Sequence, residues 1–189
     1  RIMDAIMESG VRAAKIVDNM LSFSRKSEVG QEEHDLCKLM DDAIELASND
    51  YDLKKKYDFR SVEIVREYAT DIPPVRCDGT QIQQVFLNLL KNGAQAMAQG
   101  DGVAAPCFHL RIKPENEAVL IEIEDNGPGM KKAISRRVFE PFYTTKEVGI
   151  GTGLGLSISY FIITENHQGS MRVESSPGSG ARFIIKLPL

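Results

Sequence analysis

No fold open to this chain can ignore the stretch from Thr80 to Gln99, which carries two rows of side chains at helical spacing. The first row is apolar: Ile82, Val85, Phe86, Leu89, Gly93, Ala96 and Met97, the core face of an amphipathic helix. The second is polar: Asn88, Asn92 and Gln95, extended by Gln84, at steps of four and three that stack side chains on one face. Amide oxygens in such a row can ligate a hard cation such as Mg²⁺, which takes oxygen donors and keeps waters and substrate phosphates in its shell. A solvated helix face has the same pattern, so this helix alone leaves both readings open.

The rest of the chain supplies strands for that helix to pack on. Residues 1–29 read as one helix, with Met3, Ile6, Gly10, Ala13, Val17 and Met20 spaced as a coiled-coil seam. Ile2, Ile16, Leu21 and Phe23 widen the stripe, so the helix packs against partner helices or docks on its own domain. Residues 27–35 are polar and read as a linker. Asp35 is placed to cap a helix over 36–50 that buries Leu36, Leu39, Met40, Ala43, Ile44 and Ala47. Residues 61–68 alternate in strand fashion, and Pro73-Pro74 forces extended or turn backbone. The helix after Cys77 starts either from a Thr80/Gln83 capping box or from Asp78. Strands fit 108–113 and 118–125 with a hairpin turn at Pro114–Glu117, then 170–175 and 181–187 around Pro177-Gly178. A helix fits 154–166. The class is α+β, with late strands able to pair antiparallel.

Composition narrows the function. At 189 residues and 42% hydrophobic content, the chain can bury a core of one domain plus an appendage. A net charge of −4 without a basic face excludes nucleic acid as the expected partner. Cys37, Cys77 and Cys107 are scattered, with no metal-binding spacing. No apolar run reaches the ~20 residues that span a bilayer, so no membrane contact is expected from this segment.

Three further segments carry chemistry. Asp125-Asn126-Gly127-Pro128-Gly129 ends an apolar strand. A carboxylate held there can accept a hydrogen bond from an exocyclic amine, and so distinguish adenine from bases without one. Gly127 and Gly129 let the backbone turn and approach a flat ligand, although an ordinary turn has the same sequence. Gly149 to Ser157 places Gly151, Gly153, Leu154 and Gly155 before a helix, where bare N–H groups attract phosphate. No GK[ST] follows, so this is not a Walker loop, and a flexible hinge is the plain alternative. Between them, Phe139-Glu140-Pro141-Phe142-Tyr143-Thr144-Thr145-Lys146 combines aromatic anchors with a cation, and reads either as a lid or as a surface loop with a hydrophobic plug.

In this order the segments resemble the four boxes of the sensor histidine kinase catalytic domain, within the ATPase superfamily (GHKL) that includes gyrase B, a heat-shock chaperone and mismatch-repair ATPases. Asn88–Asn92 resembles the N box, Asp125–Gly129 the first glycine box, Phe139–Lys146 the F box and Gly151–Ser157 the second glycine box. The wording FEPFYTTK followed by GTGLGLSISY is similar to PAS-linked and nitrogen-regulation sensor kinases. The resemblance covers about 31–189. It implies a two-layer sandwich of helices on a mixed sheet, the Bergerat-type ATP-binding fold, preceded by the long N-terminal helix. It makes Asn92 and Asn88 the Mg²⁺–phosphate contacts, Asp125 the adenine reader and about 130–150 the lid. The ATP-binding set becomes Asn88, Asn92, Gln95, Asp125, Gly127, Gly129, Lys146, Gly151, Gly153, Leu154 and Gly155. Residues 1–30 resemble the second helix of the dimerisation and phosphoacceptor hairpin.

The expected activity is Mg²⁺-dependent transfer of the ATP γ-phosphoryl to a histidine outside this chain, then to a response-regulator receiver domain. No catalytic acid or base is assigned here. The expected setting is cytoplasmic and homodimeric through the hairpin, with membrane anchoring of the parent left open. The rival readings are a degenerate kinase acting as a nucleotide-binding scaffold, and a non-kinase ATPase of the superfamily. Three departures from the family pattern stand out. Gln95 replaces a frequent phosphate-binding Lys, Gly93 replaces Ala, and Ala181 stands where a Thr often supports the adenine site. His34-Asp35 looks like an acceptor pair but falls in the linker, and His109 and His167 read as structural.

Overall fold

The computed structural model describes residues 30–49, 59–99, 105–146 and 151–189, together with Gly10. The expected helix at 1–29, Gly10 apart, and residues 147–150 of the expected lid lie outside the described residues.

Five strands form one sheet in the order β2-β4-β5-β7-β6: β2 (Glu63–Tyr68), β4 (Cys107–Glu115), β5 (Ala118–Asp125), β6 (Ser170–Ser175) and β7 (Ala181–Pro188). The β2–β4 pair is parallel and the others are antiparallel, so the sheet is mixed as expected. Its strands alternate, and one face is apolar. Phe108, Leu110, Ile112, Val119, Ile121, Ile123, Phe183, Ile185 and Leu187 are all buried there. The helices α1 (Leu36–Asn49), α2 (Gly79–Gln99) and α4 (Gly155–Phe161) cover that face and complete the core. A short α3 (Lys132–Ser135) lies in the segment after β5.

The opposite face is a lattice of charge. Arg111 bonds Glu67 at 3.1 Å and Glu124 at 2.6 Å, and Arg182 bonds Glu174. Leu120 and Ile184 also lie on this face yet are buried. Leu120 is flanked in register by Lys113 and Lys186, and Ile184 by Glu122 and Arg172. Long charged chains cover apolar surface with their stems while keeping their heads in water.

Element starts follow local chemistry. Asp35 Oδ1 accepts the Cys37 N–H at 2.8 Å and the Lys38 N–H at 3.3 Å, as expected for the cap of α1. For α2 the Asp78 alternative is realised: its Oδ1 accepts the Gln81 N–H at 3.1 Å, and the helix begins at Gly79. The linker reading of 27–35 needs correction. Glu32–His34 is β1, and it pairs antiparallel with β3 (Val75–Cys77) in a two-stranded ribbon. The helix expected over 154–166 is α-helical only to Phe161; Ile162–Asn166 widen into a π turn. Cys77 and Cys107 are buried packing residues, and burial pushes the Cys77 thiol up to about 11.

Candidate functional site

The site is built where α2 crosses the ends of β4 and β5. Asp125 is the last residue of β5, central in the sheet between Phe108 of β4 and Ala181 of β7. It is 6% exposed, and its carboxyl pKa is raised to about 6. Burial is the main cause; the backbone N–H groups of Gly127 and Ala181 pull it the other way. The Gly127 N–H donates to Asp125 Oδ1 at 2.9 Å. Ala181 thus supports the carboxylate through its main chain, where the family pattern offers a Thr.

The loop after Asp125 is stitched to the β6–β7 turn. Gly178 N–H donates to Pro128 O at 2.7 Å, and Met130 N–H to Ser175 Oγ at 2.8 Å. Gly129 has φ +68, and a Cβ there would lie 2.0 Å from Ser176 O. Gly180 has φ +69, and a Cβ there would lie 1.8 Å from Asp125 O. Neither position admits another residue without rebuilding the loop pair. Sequence reasoning missed Gly180 and Ser175; the signal was the PGSG turn, whose glycines exceed what a hairpin alone needs.

Gly93 brings the two halves of the site together. A Cβ there would lie 2.5 Å from Phe108 Cε1 and 3.2 Å from Asp125 Cβ. The missing methyl lets α2 settle onto the strand ends at Phe108 and Asp125. The departure from Ala is thus explained by the bulk of Phe108.

The polar row of α2 faces two loops. Asn88 Nδ2 donates to Gly155 O at 3.5 Å and to Ser159 Oγ at 3.4 Å, which ties it to the first turn of α4. Ser159 was not among the expected residues. Lys146 Nζ reaches across from the 139–146 segment, donating to Asn92 Oδ1 at 3.1 Å and to Gln95 Oε1. Burial pushes the Lys146 ammonium pKa down. Two amide oxygens of the row therefore converge on a cation.

The second glycine box threads between these parts. A Cβ at Gly155 would lie 3.9 Å from Asn88 Cγ and from Asn92 Nδ2. A Cβ at Gly151 would lie 3.0 Å from Thr144 Oγ1. Gly153, at φ +66, lies against the Phe142 backbone, where a Cβ would come within 2.5 Å of its carbonyl carbon. Leu154 points into the core at 1% exposure, so only its main chain can meet a ligand. Of the F-box aromatics, Phe139 is the anchor: its ring centroid is 4.9 Å from Tyr160 and 6.4 Å from Phe183. Phe142 is exposed, with φ 64.

The histidines lie elsewhere. His34 is in β1 beside Gly79, and His109 is on the charged face, 3.5 Å from Glu67. His167 is buried; its Nε2 accepts the Asp78 N–H at 3.0 Å while its Nδ1 lies 2.9 Å from Ile162 O.

Comparison with known proteins matches residues 77–189 to the family model described as histidine kinase-, DNA gyrase B-, and HSP90-like ATPase. The chain belongs to this family. Sporulation kinase E of Bacillus subtilis (strain 168) is 37% identical over 178 residues, covering 94% of this chain and 22% of that protein. The chain therefore spans about a fifth to two-fifths of the length of curated relatives it matches along most of its own length. Among solved structures, the nucleotide-free catalytic domain of histidine kinase ThkA superposes with TM-score 0.68 at 26% identity, over 84% of this chain and 95% of that one. ThkA in complex with the response regulator TrrA superposes with TM-score 0.72 at 25% identity, over 98% of this chain and 49% of that one. The fold is that of histidine kinase ATP-binding catalytic domains, and the resemblance read from the four boxes holds. Among the described residues no helix is long and apolar enough to cross a membrane.

Proposed function

We propose that this chain is the ATP-binding catalytic part of a protein-histidine kinase, which transfers the γ-phosphoryl of ATP to a histidine outside the chain in an Mg²⁺-dependent reaction. The observation that carries the reading is the junction at Gly93, where the helix that bears the amide row packs directly on the buried Asp125. Asp125 accepts a hydrogen bond from the adenine amine, with Gly127 and Gly129 admitting the flat base. Asn88, Asn92, Gln95, Lys146 and the Gly151–Gly155 segment surround the phosphates.

The donor set suits the metal. Asn92 and Gln95 already turn amide oxygens toward a cation, the Lys146 ammonium, and a hard divalent ion takes the same donors. Asn92 and Asn88 would hold it. Bound there, it would neutralise charge on the phosphates during transfer. The chain's own residues position the nucleotide and exclude water. Phosphoryl transfer needs mainly positioning and charge neutralisation, so no acid or base from this chain is required.

Residues 1–30 would serve as the second helix of a dimerisation and phosphoacceptor hairpin, with 31–189 as the catalytic domain and about 130–150 as its lid. ThkA, with the same fold, was solved with a response regulator, and a receiver domain is the partner we assign here, in a cytoplasmic homodimer. The test is transfer in trans: this chain, a separate acceptor helix and labelled ATP. Label on the acceptor histidine, lost with Asp125→Asn, is the expected result. Binding of ATP without any transfer would favour the nucleotide-binding scaffold.

A further inference from the structure

Among the described residues, Lys146 holds a charge that only neutral groups meet. Its two acceptors, Asn92 Oδ1 and Gln95 Oε1, are both amide oxygens, and among the described residues it forms no ion pair. Gln95 is itself buried at 8% exposure, so packing fixes the oxygen that meets the ammonium. An ammonium drawn out of water and met by neutral dipoles keeps a strong attraction for an anion, because charge interactions strengthen where water is excluded. The residue type at 95 then matters beyond its shape. A glutamate there would occupy nearly the same volume and bond the ammonium more strongly, but would cancel its charge. A lysine there would repel it.

We propose that Gln95 is a positioning residue for the lid, whose neutral amide holds the Lys146 ammonium beside Asn92 with its charge uncancelled, so that a polyphosphate completes this end of the site. The inference rests on the nucleotide reading above and divides the labour within it. The Asp125 end reads the base whatever the number of phosphates. The Gln95–Lys146–Asn92 group reads the phosphate chain.

The test is calorimetric titration of adenosine and of ATP with Mg²⁺ into the chain and its Gln95→Glu, Lys146→Met and doubly substituted variants, with circular dichroism as the check on folding. Removing one charge-assisted contact to phosphate changes affinity by about tenfold, so Gln95→Glu and Lys146→Met should each weaken ATP by about that factor or more. Adenosine should bind each folded variant as it binds the parent chain. The double variant should bind ATP worse than either single one, because it removes the ammonium and leaves the carboxylate introduced at 95 facing the phosphates. A residue that merely packs predicts the opposite for Gln95→Glu: shape kept, bond to Lys146 strengthened, ATP affinity unchanged. That result overturns the proposal. A parent chain that binds neither adenosine nor ATP overturns the nucleotide reading instead.

Discussion

In the proposed nucleotide site, the needs of stability and of recognition oppose each other at Asp125. Burial lifts its carboxyl from 3.8 to about 6. Between roughly pH 4 and 6 the folded chain therefore holds a proton that the unfolded chain has released, and this contribution to stability is lost as pH rises through that window. Above it, the ionised and buried carboxylate costs the fold about 3 kcal/mol, two pKa units at 1.36 kcal/mol each. Asp125→Asn keeps an oxygen for the Gly127 N–H and removes the charge. Urea unfolding should show the variant about as stable as the parent at pH 4 and more stable by up to about 3 kcal/mol at pH 7, with the gap opening across the window. A variant less stable than the parent at pH 7 would show that the carboxylate is structural. Recognition runs the other way. A carboxylate accepts the adenine amine better than a carboxylic acid does, so ATP affinity of the parent should rise with a midpoint near pH 6. In Asp125→Asn the profile should be flat and the affinity low.

Among the elements, α2 carries most of the assembly, and each of its ends makes a prediction. Gly93→Ala would gain up to about 1 kcal/mol of helix propensity on an exposed helix. Here the new methyl meets Phe108 and the Asp125 side chain, and overpacking of this kind costs about 1–3 kcal/mol. The variant should be destabilised in urea, and adding Phe108→Leu should recover part of the loss; a Gly93→Ala chain more stable than the parent would refute the junction. At the other end, His167→Ala strips the Asp78 N–H of its acceptor and should cost about 1–3 kcal/mol. Long periodic elements were legible from the sequence because their apolar faces repeat within one segment: α1, α2, β5 and the β6–β7 hairpin all fall where the pattern put them. The β1–β3 ribbon was not, because each strand has three residues and the partner lies some forty positions away. Asp78 and Thr80 are both good caps, and the choice between them depends on where β3 ends, which the local sequence does not encode. The glycines of the boxes were visible as glycines. What each one touches, such as Gly180 against Asp125, depends on two loops meeting, and no spacing rule reports that.

Across the whole molecule, the proposed site is assembled from segments separated along the chain: the amide row, the end of β5 with its loop, the 139–146 segment and the second glycine box. Each is held by a different part of the core, so a ligand that touches all of them binds the folded chain and not the unfolded one. Mass action then converts binding into stability. ATP with Mg²⁺ at about one hundred times its dissociation constant should add about 2.7 kcal/mol. For a chain of this size that is a rise in Tm of roughly 5–10 °C. The two ends of the site should contribute separately to that rise. Asp125→Asn should abolish most of it with metal present or absent. Asn92→Ala should reduce it with Mg²⁺ and by less when the metal is chelated, because the oxygen that would hold the ion also accepts from Lys146. Equal shifts for Asn92→Ala and the parent in Mg²⁺ would remove the amide row from the metal site while leaving the adenine end standing. Equal shifts for Asp125→Asn and the parent would do the reverse.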